Sequence, residues 1–251
     1  MSGHSKWAQI KRQKGANDAR RGQMFTKLTR EITVAAREGG GDPDANFRLR
    51  LAIQRARTFN MPHESIQRAI ARGTGTGEEG AAHLEEVTYE GYGPGGVAIF
   101  VEALTDNRNR TVAEVRNVFT RHGGSLGENG SVAWLFEPRG LVTVNLDGRD
   151  PDDVTLSAID AGAVDVNQDG STLEIYTELD GLERVRQAME DAGVAVDVAE
   201  RALVPKSMVA LDEQKALQIV RLIEKLEELD DVQNVSTNLE LPQQLVAQLA
   251  S

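Results

Sequence analysis

The chain has 251 residues, 40% hydrophobic and 27% charged, with a formal net charge of −11. This is an ordinary globular composition, enough for one large domain or two to three small ones. The absence of cysteine excludes disulfides, thiolate metal sites, Fe–S clusters and cysteine nucleophiles, and fits a reducing compartment. No apolar run approaches the roughly 18 residues of a spanning helix. The N-terminus has no apolar h-region, so a secretory signal is not expected. It is basic like a transit peptide, but it is not Ser-rich and leads straight into patterned helices. A cytoplasmic location is expected.

Charge divides the chain. Residues 1–72 hold 15 Lys+Arg and 6 Asp+Glu, so 15 − 6 = +9; residues 73–251 hold 13 and 33, so 13 − 33 = −20. A basic head on an acidic body points to a polyanion partner for the head, with simple head-to-body attraction as the alternative.

The opening stretch, Gly3–Gly22, carries Lys6, Lys11, Arg12, Lys14, Arg20 and Arg21 against one acid, Asp18, with His4 and Trp7 among them. A helix is expected to begin near Ser5. Phe25, Leu28, Ile32 and Ala35 then mark one face of a helix that Gly39–Gly41 should stop. A second stripe, Leu49, Ala52, Ile53, Ala56 and Phe59, follows Pro43, which suits a first helical turn. A third, shorter helix starts near Pro62 and is expected to stop at Gly73. Three short amphipathic helices bury their stripes against one another, so residues 1–75 are expected to form a basic helical bundle. Residues 73–82 are Gly-rich, apolar-poor and coincide with the change of sign, as a linker would.

Beyond the linker the period changes to two. Two strands flank the turn GYGPGG, an amphipathic helix runs through Val112, Val115, Val118 and Phe119, and SVAWLFEP is expected as a third strand. LVTVNL to VAVDVAE then reads β-α-β-β-α-β, the ferredoxin-like split unit, with NQDG as a hairpin turn. A long helix with Leu217, Val220, Leu222 or Ile223, and Leu226 inward, a strand VQNVSTN and a short tail helix PQQLVAQLAS complete the chain. The expected fold is α+β: a three-helix-type N-terminal domain followed by two two-layer α/β domains. Residues 139–200 form the third, inserted into a second built from 83–137 and 202–239.

The chemical motifs are mostly structural. GYGPGG matches G-x-G-x-x-G at Gly91, Gly93 and Gly96, but a strand follows it and Pro94 removes an N–H, so a tight turn is the better reading than a phosphate loop. His4, His63, His83 and His122 lack ligand spacing; His122 suits a helix C-terminus. Asp230 and Asp231 suit a turn or cap. No catalytic constellation, cofactor, metal or small-molecule substrate is expected. In DNRNRTVAEVRN, Thr111 and Glu114 suggest a capping box. Arg108 and Arg110 either pair with Asp106 or Glu102 or face a nucleic-acid backbone.

In the head, Arg20, Lys27, Arg30 and Arg37 form one basic helical stripe, and Arg48 and Arg55, seven apart, lie beside the apolar one, as do Arg50 and Arg57. Lys and Arg neutralise phosphates and release counterions. Trp7 or His4 could stack on an exposed base, or Trp7 could anchor the arm. The candidate nucleic-acid contacts are therefore His4, Lys6, Trp7, Lys11, Arg12, Lys14, Arg20, Arg21, Lys27, Arg30, Arg37, Arg48 and Arg55, with Arg108 and Arg110 as a second contact.

GHSKW, FTKLTREITVAAREGGGDPDAN, RLRLAI, NMP, YEGYGPGG, ALTDNRNRTVAEVR, HGG, GSVAW and DDVQNV, in order through nearly the whole chain, resemble the YebC/PmpR family. The resemblance implies a non-enzymatic protein of three domains, the third nested in the second. It implies DNA-binding transcriptional regulation, or, as for other members, ribosome-associated action on translation through difficult stretches such as proline runs. The family's basic N-terminal segment falls on Lys6, Lys11, Arg12, Lys14, Arg20, Arg21, Lys27 and Arg30, and its TDNRNRT motif on Thr105–Thr111. Phe47 stands where the family often has Pro, and Gln13 and Gly15 where relatives often carry a basic residue and Ala. The residues alone leave three hypotheses: a reader of duplex DNA, a factor binding rRNA or tRNA, and an enzyme with a site between the α/β domains. Arg and Lys spread along the head helices suit phosphate contact better than a base-reading helix.

Overall fold

The computed structural model describes residues 18–76, 84–242 and 245–246, with residues 18–20 as backbone alone. The expected helix near Ser5, the linker residues 77–83 and most of the tail lie outside this set.

Three helices come first: α1 (Asp18–Gly39), α2 (Phe47–Thr58) and α3 (His63–Thr74). Their stripes meet as expected, with Leu28, Ile32, Leu49, Ala52, Ile53, Ala56, Ile66 and Ile70 in one core. Two boundaries differ from expectation. Pro43 lies in a turn before α2, which is capped instead by buried Asn46. The Asn46 side chain accepts from Leu49 N at 3.1 Å and donates to Ala35 O and Gly40 O at 2.8 Å each, tying the start of α2 to the end of α1. Gly73 does not end α3; the helix runs to Thr74, and Gly75 in the left-handed region (φ 75°) caps it.

The first sheet has the order β3-β1-β2-β9, from Ser125–Leu126, Glu85–Tyr92, Ala98–Thr105 and Val232–Thr237. Helices α4 (Arg108–Arg121) and α7 (Glu213–Glu227) cover one face. The period of two sorts β2 cleanly: Ile99, Val101 and Ala103 join that helical core, while Ala98 and Leu104 point the other way. The second sheet has the order β5-β6-β4-β7, from Asp165–Asp169, Thr172–Thr177, Phe136–Asn145 and Val196–Pro205. With α5 (Pro151–Asp160) and α6 (Leu182–Asp191) on one face it is the expected ferredoxin-like βαββαβ unit. Its chain segment interrupts the first sheet between β3 and β9, so the third unit is inserted in the second. Two short strands, β8 (Val209–Ala210) and β10 (Leu239–Glu240), pair in parallel beyond it.

SVAWLFEP is not a third strand of the first sheet. Ala133–Leu135 is a 3₁₀ turn, and Phe136 opens β4 of the inserted sheet. Pro138 is tolerated because β4 pairs there with β7 alone; pairing with β6 begins at Gly140. This overhang packs Phe136 and Leu203 with Val132 against Ala98, covering the second face of the first sheet.

Candidate nucleic-acid interface

His4, Lys6, Trp7, Lys11, Arg12 and Lys14 lie outside the described residues, and the Arg20 side chain is not described. Arg21 is exposed near the start of α1. Of the rest of the α1 stripe, Lys27 and Arg30 are half-buried and Arg37 is exposed, and all three bond to the body. Lys27 Nζ donates to Glu227 O at 2.5 Å, at the end of α7. Arg37 donates to Leu84 O at 2.7 Å. Gln23 Nε2 reaches Glu228 O at 3.4 Å. These side chains satisfy carbonyls that a helix end or strand start leaves open.

Arg30 goes deepest. Its guanidinium meets Asp231 Oδ1 at 2.5 Å and donates to Asp230 O at 2.7 Å. Asp231 is 2% exposed and accepts, on its other oxygen, from Thr111 Oγ1 (2.6 Å), Arg110 (2.7 Å) and Thr105 Oγ1 (3.0 Å). Burial alone would push this carboxyl up. The hydrogen bonds from Thr111, Arg110 and Arg30 override it and hold the pKa down at about 2. The TDNRNRT segment thus builds a socket: Asn107, not Thr111, caps α4, accepting from Arg110 N at 3.1 Å, and frees Thr111 for Asp231. Arg110 also pairs with Asp106 at 2.7 Å, and Arg108 with Glu85 at 2.7 Å rather than with Glu102. His122 caps the far end of α4, its Nδ1 2.9 Å from Val118 O.

Helix α2 faces both neighbours. Arg48 is paired with Glu38 at 2.5 Å and with Glu86. Arg55 lies 3.5 Å from Glu31, whose charge, opposed by burial, raises its already high pKa. Phe47 and Leu51 pack onto the core of the inserted unit, and Arg50 lies over the Phe47 ring, 3.8 Å from Glu183. Arg57 and Arg68 remain exposed on α2 and α3, with no ion pair among the described residues.

The GYGPGG turn packs onto the core of the first sheet at Gly93. A Cβ at Gly93 would come within 2.4 Å of Ile219 Cδ1, so the glycine admits a core side chain. Among the described residues no group of three His, Asp or Glu could hold a metal, and no helix is long and apolar enough to cross a membrane.

Sequence reasoning missed the depth of Asp231 and also missed Glu90. Glu90 is 4% exposed; its carboxylate accepts from the backbone N–H of Gly130, Val132 and Ala133 at 2.6, 2.7 and 2.7 Å. Those bonds outweigh burial and hold its pKa below the ordinary range. The available signal for Asp231 was a surplus of donors: TDNRNRT offers two threonines and two arginines against one acid.

Residues 5–76 match the family model described as the TACO1/YebC protein N-terminal domain, and residues 84–239 that of the TACO1/YebC second and third domain. A relative from Chloroflexus aggregans is 59% identical over 254 residues, covering 100% of both chains, and one from Roseiflexus castenholzii is 57% identical with the same coverage. Both are named "Probable transcriptional regulatory protein". The crystal structure of a conserved hypothetical protein from Aquifex aeolicus is similar, with a TM-score of 0.82 and 47% identity over 90% of this chain and 93% of that one. On this evidence the chain belongs to the TACO1/YebC family.

Proposed function

We propose that the protein is a non-enzymatic, cytoplasmic regulator of gene expression that binds nucleic acid through its basic head. The observation that carries the reading is the partition of charge, +9 over residues 1–72 against −20 over the remainder (15 − 6 and 13 − 33). The name of the relatives supports action at transcription, with DNA as the partner. The contacts between head and body narrow the surface. Lys27, Arg30, Arg37 and Arg110 bond within the chain, and we assign the phosphate contacts to Lys6, Lys11, Arg12, Lys14, Arg20 and Arg21, with His4 and Trp7 among them in sequence.

Six such contacts give a slope of log K against log[salt] of about −5 on duplex DNA. Replacing Lys11, Arg12 and Lys14 by Ala in the full chain is expected to flatten that slope by about 3 and to weaken all sequences alike. Anisotropy titrations over a salt series measure this. A salt-independent complex, or an unchanged slope in the triple variant, overturns the assignment. The ribosome-directed reading makes a distinct prediction: after crosslinking in cells, ribosomal or transfer RNA is recovered instead of promoter DNA.

A further inference from the structure

Trp134 is 64% exposed, yet it is not loosely placed. Its indole N–H donates to Ser131 O at 3.1 Å, and the same carbonyl accepts from Tyr92 Oη at 2.7 Å. The three N–H donors that Glu90 gathers lie in the same loop, and Gly127 N donates to Glu90 O at 2.7 Å. Val132, fully buried, plugs the loop into the contact between the sheets. Desolvating a carboxylate is costly unless its hydrogen bonds are complete. Here they are complete, and what they fix in space is an indole whose polar atom is already satisfied. What the side chain has left to offer is its apolar ring.

The surroundings decide what that ring fits. Among the described residues the other exposed large apolar side chains, Leu156, Ile159, Val164 and Leu179, all lie between β4 and β7 in sequence, none in the Trp134 loop. A standard protein interface buries roughly 800 Å² per partner, which one ring does not supply. A single rigid aromatic does supply what one unpaired base needs. A lysine backbone runs next to this loop: Lys206 N donates to Leu135 O at 2.8 Å, and the Lys206 side chain is exposed with no ion pair among the described residues. Of the nearby acids, Glu90 is buried under its three donors and Glu137 is held by Arg139 at 3.1 Å; Glu128 is exposed.

We propose that Trp134, with Lys206, is a stacking platform for an unpaired nucleobase, a second nucleic-acid contact on the acidic body. The proposal rests on the nucleic-acid reading of the head and deepens it: the preferred ligand has single-stranded or extruded bases. The test uses the full chain with Trp7→Phe, which leaves Trp134 as the one tryptophan. Oligo(dT), oligo(rU) and a mixed-sequence duplex of equal length are titrated, with labelled-probe anisotropy for binding and indole emission for the platform. Both single-stranded probes are expected to quench Trp134. Trp134→Ala is expected to weaken them by about 5- to 100-fold without changing the salt slope, since stacking neutralises no phosphate, while Trp134→Phe keeps most of the affinity. Circular dichroism of each variant checks the fold.

Binding with unmoved emission and full affinity in Trp134→Ala overturns the platform and leaves the head reading standing. Equal quenching by the duplex overturns the unpaired-base preference. Failure of every probe to bind at low salt overturns both readings. A nuclease-resistant blue shift of Trp134 in cell extract identifies a protein partner and also overturns the proposal.

Discussion

Asp231 concentrates more interactions than its place between a helix and a strand suggests. Its carboxylate joins Arg30 of the head to Thr105, Arg110 and Thr111 of the body. Both carboxylate oxygens have partners, Arg30 on Oδ1 and Thr105, Arg110 and Thr111 on Oδ2, so the buried charge is stabilising where an unpaired one would not be. Removing the charge in Asp231→Asn leaves two guanidinium groups facing an amide and is expected to cost about 3 kcal/mol. The linkage has a definite sign. The folded pKa, about 2, lies below the ordinary aspartate value of about 3.9, so the carboxylate stabilises the fold fully above pH 4. That contribution, about 2.5 kcal/mol, is lost as pH falls from about 4 toward 2. Urea midpoints of the two proteins should therefore differ most at neutral pH and converge in acid; a pH-independent gap overturns the assignment. At this scale the sequence was half legible. Types and spacing showed that Arg30 and Arg110 carried charge, but not which way it faced, because the partner acid lies more than 100 positions away in the chain.

At the scale of elements, the close approach of α1 and α3 depends on a glycine inside a helix. A Cβ at Gly73 would lie 2.3 Å from Thr33 O and 2.8 Å from Ala36 Cβ. The first contact is backbone, so no rotamer change relieves it, and the helices must separate. Thr33 Oγ1, which bonds Ala69 O at 3.2 Å, is then strained as well. Gly73→Ala is expected to destabilise by about 1 to 3 kcal/mol, net of the helix propensity of about 1 kcal/mol that alanine adds. Gly75→Ala, where nothing lies within 4 Å and only the positive φ resists, should cost about 1 kcal/mol. Melting temperatures of the pair check the order, and the reverse order would make Gly73 a mere helix terminator. The apolar stripes of all three helices were readable from period alone. Gly73 was misread because a glycine near a helix end signals termination and close packing with the same letter. SVAWLFEP misled for a related reason: its alternation is real, but Glu90 gathers the backbone N–H groups of its first half into a turn, and only Phe136 onward pairs as strand.

At the scale of the molecule, the head is a bridge. On one side Val34 meets Leu84 and Leu104, and Arg30 enters the Asp231 socket. On the other, Phe47 and Leu51 rest on the core of the inserted unit. The two sheets are themselves joined where Phe136 and Leu203 cover Ala98. The insertion was legible from the order of elements, since neither flank of the βαββαβ unit made a satisfactory sheet alone. The bridging was not, because ferredoxin-like units are stable with one bare face and no pattern announces what covers it. The physical consequence is cooperativity across three units that would otherwise unfold separately. In the Trp7→Phe chain at neutral pH, helical circular dichroism and Trp134 emission are expected to follow one thermal transition. Adding Arg30→Ala and Phe47→Ala weakens the head's contact on each side while leaving its own core of Leu28, Ile32, Leu49 and Ile66 intact. The helical signal should then move to lower temperature and part from the Trp134 signal. Two separate transitions already present before those substitutions would mean that the contacts are made without coupling the folding of the units.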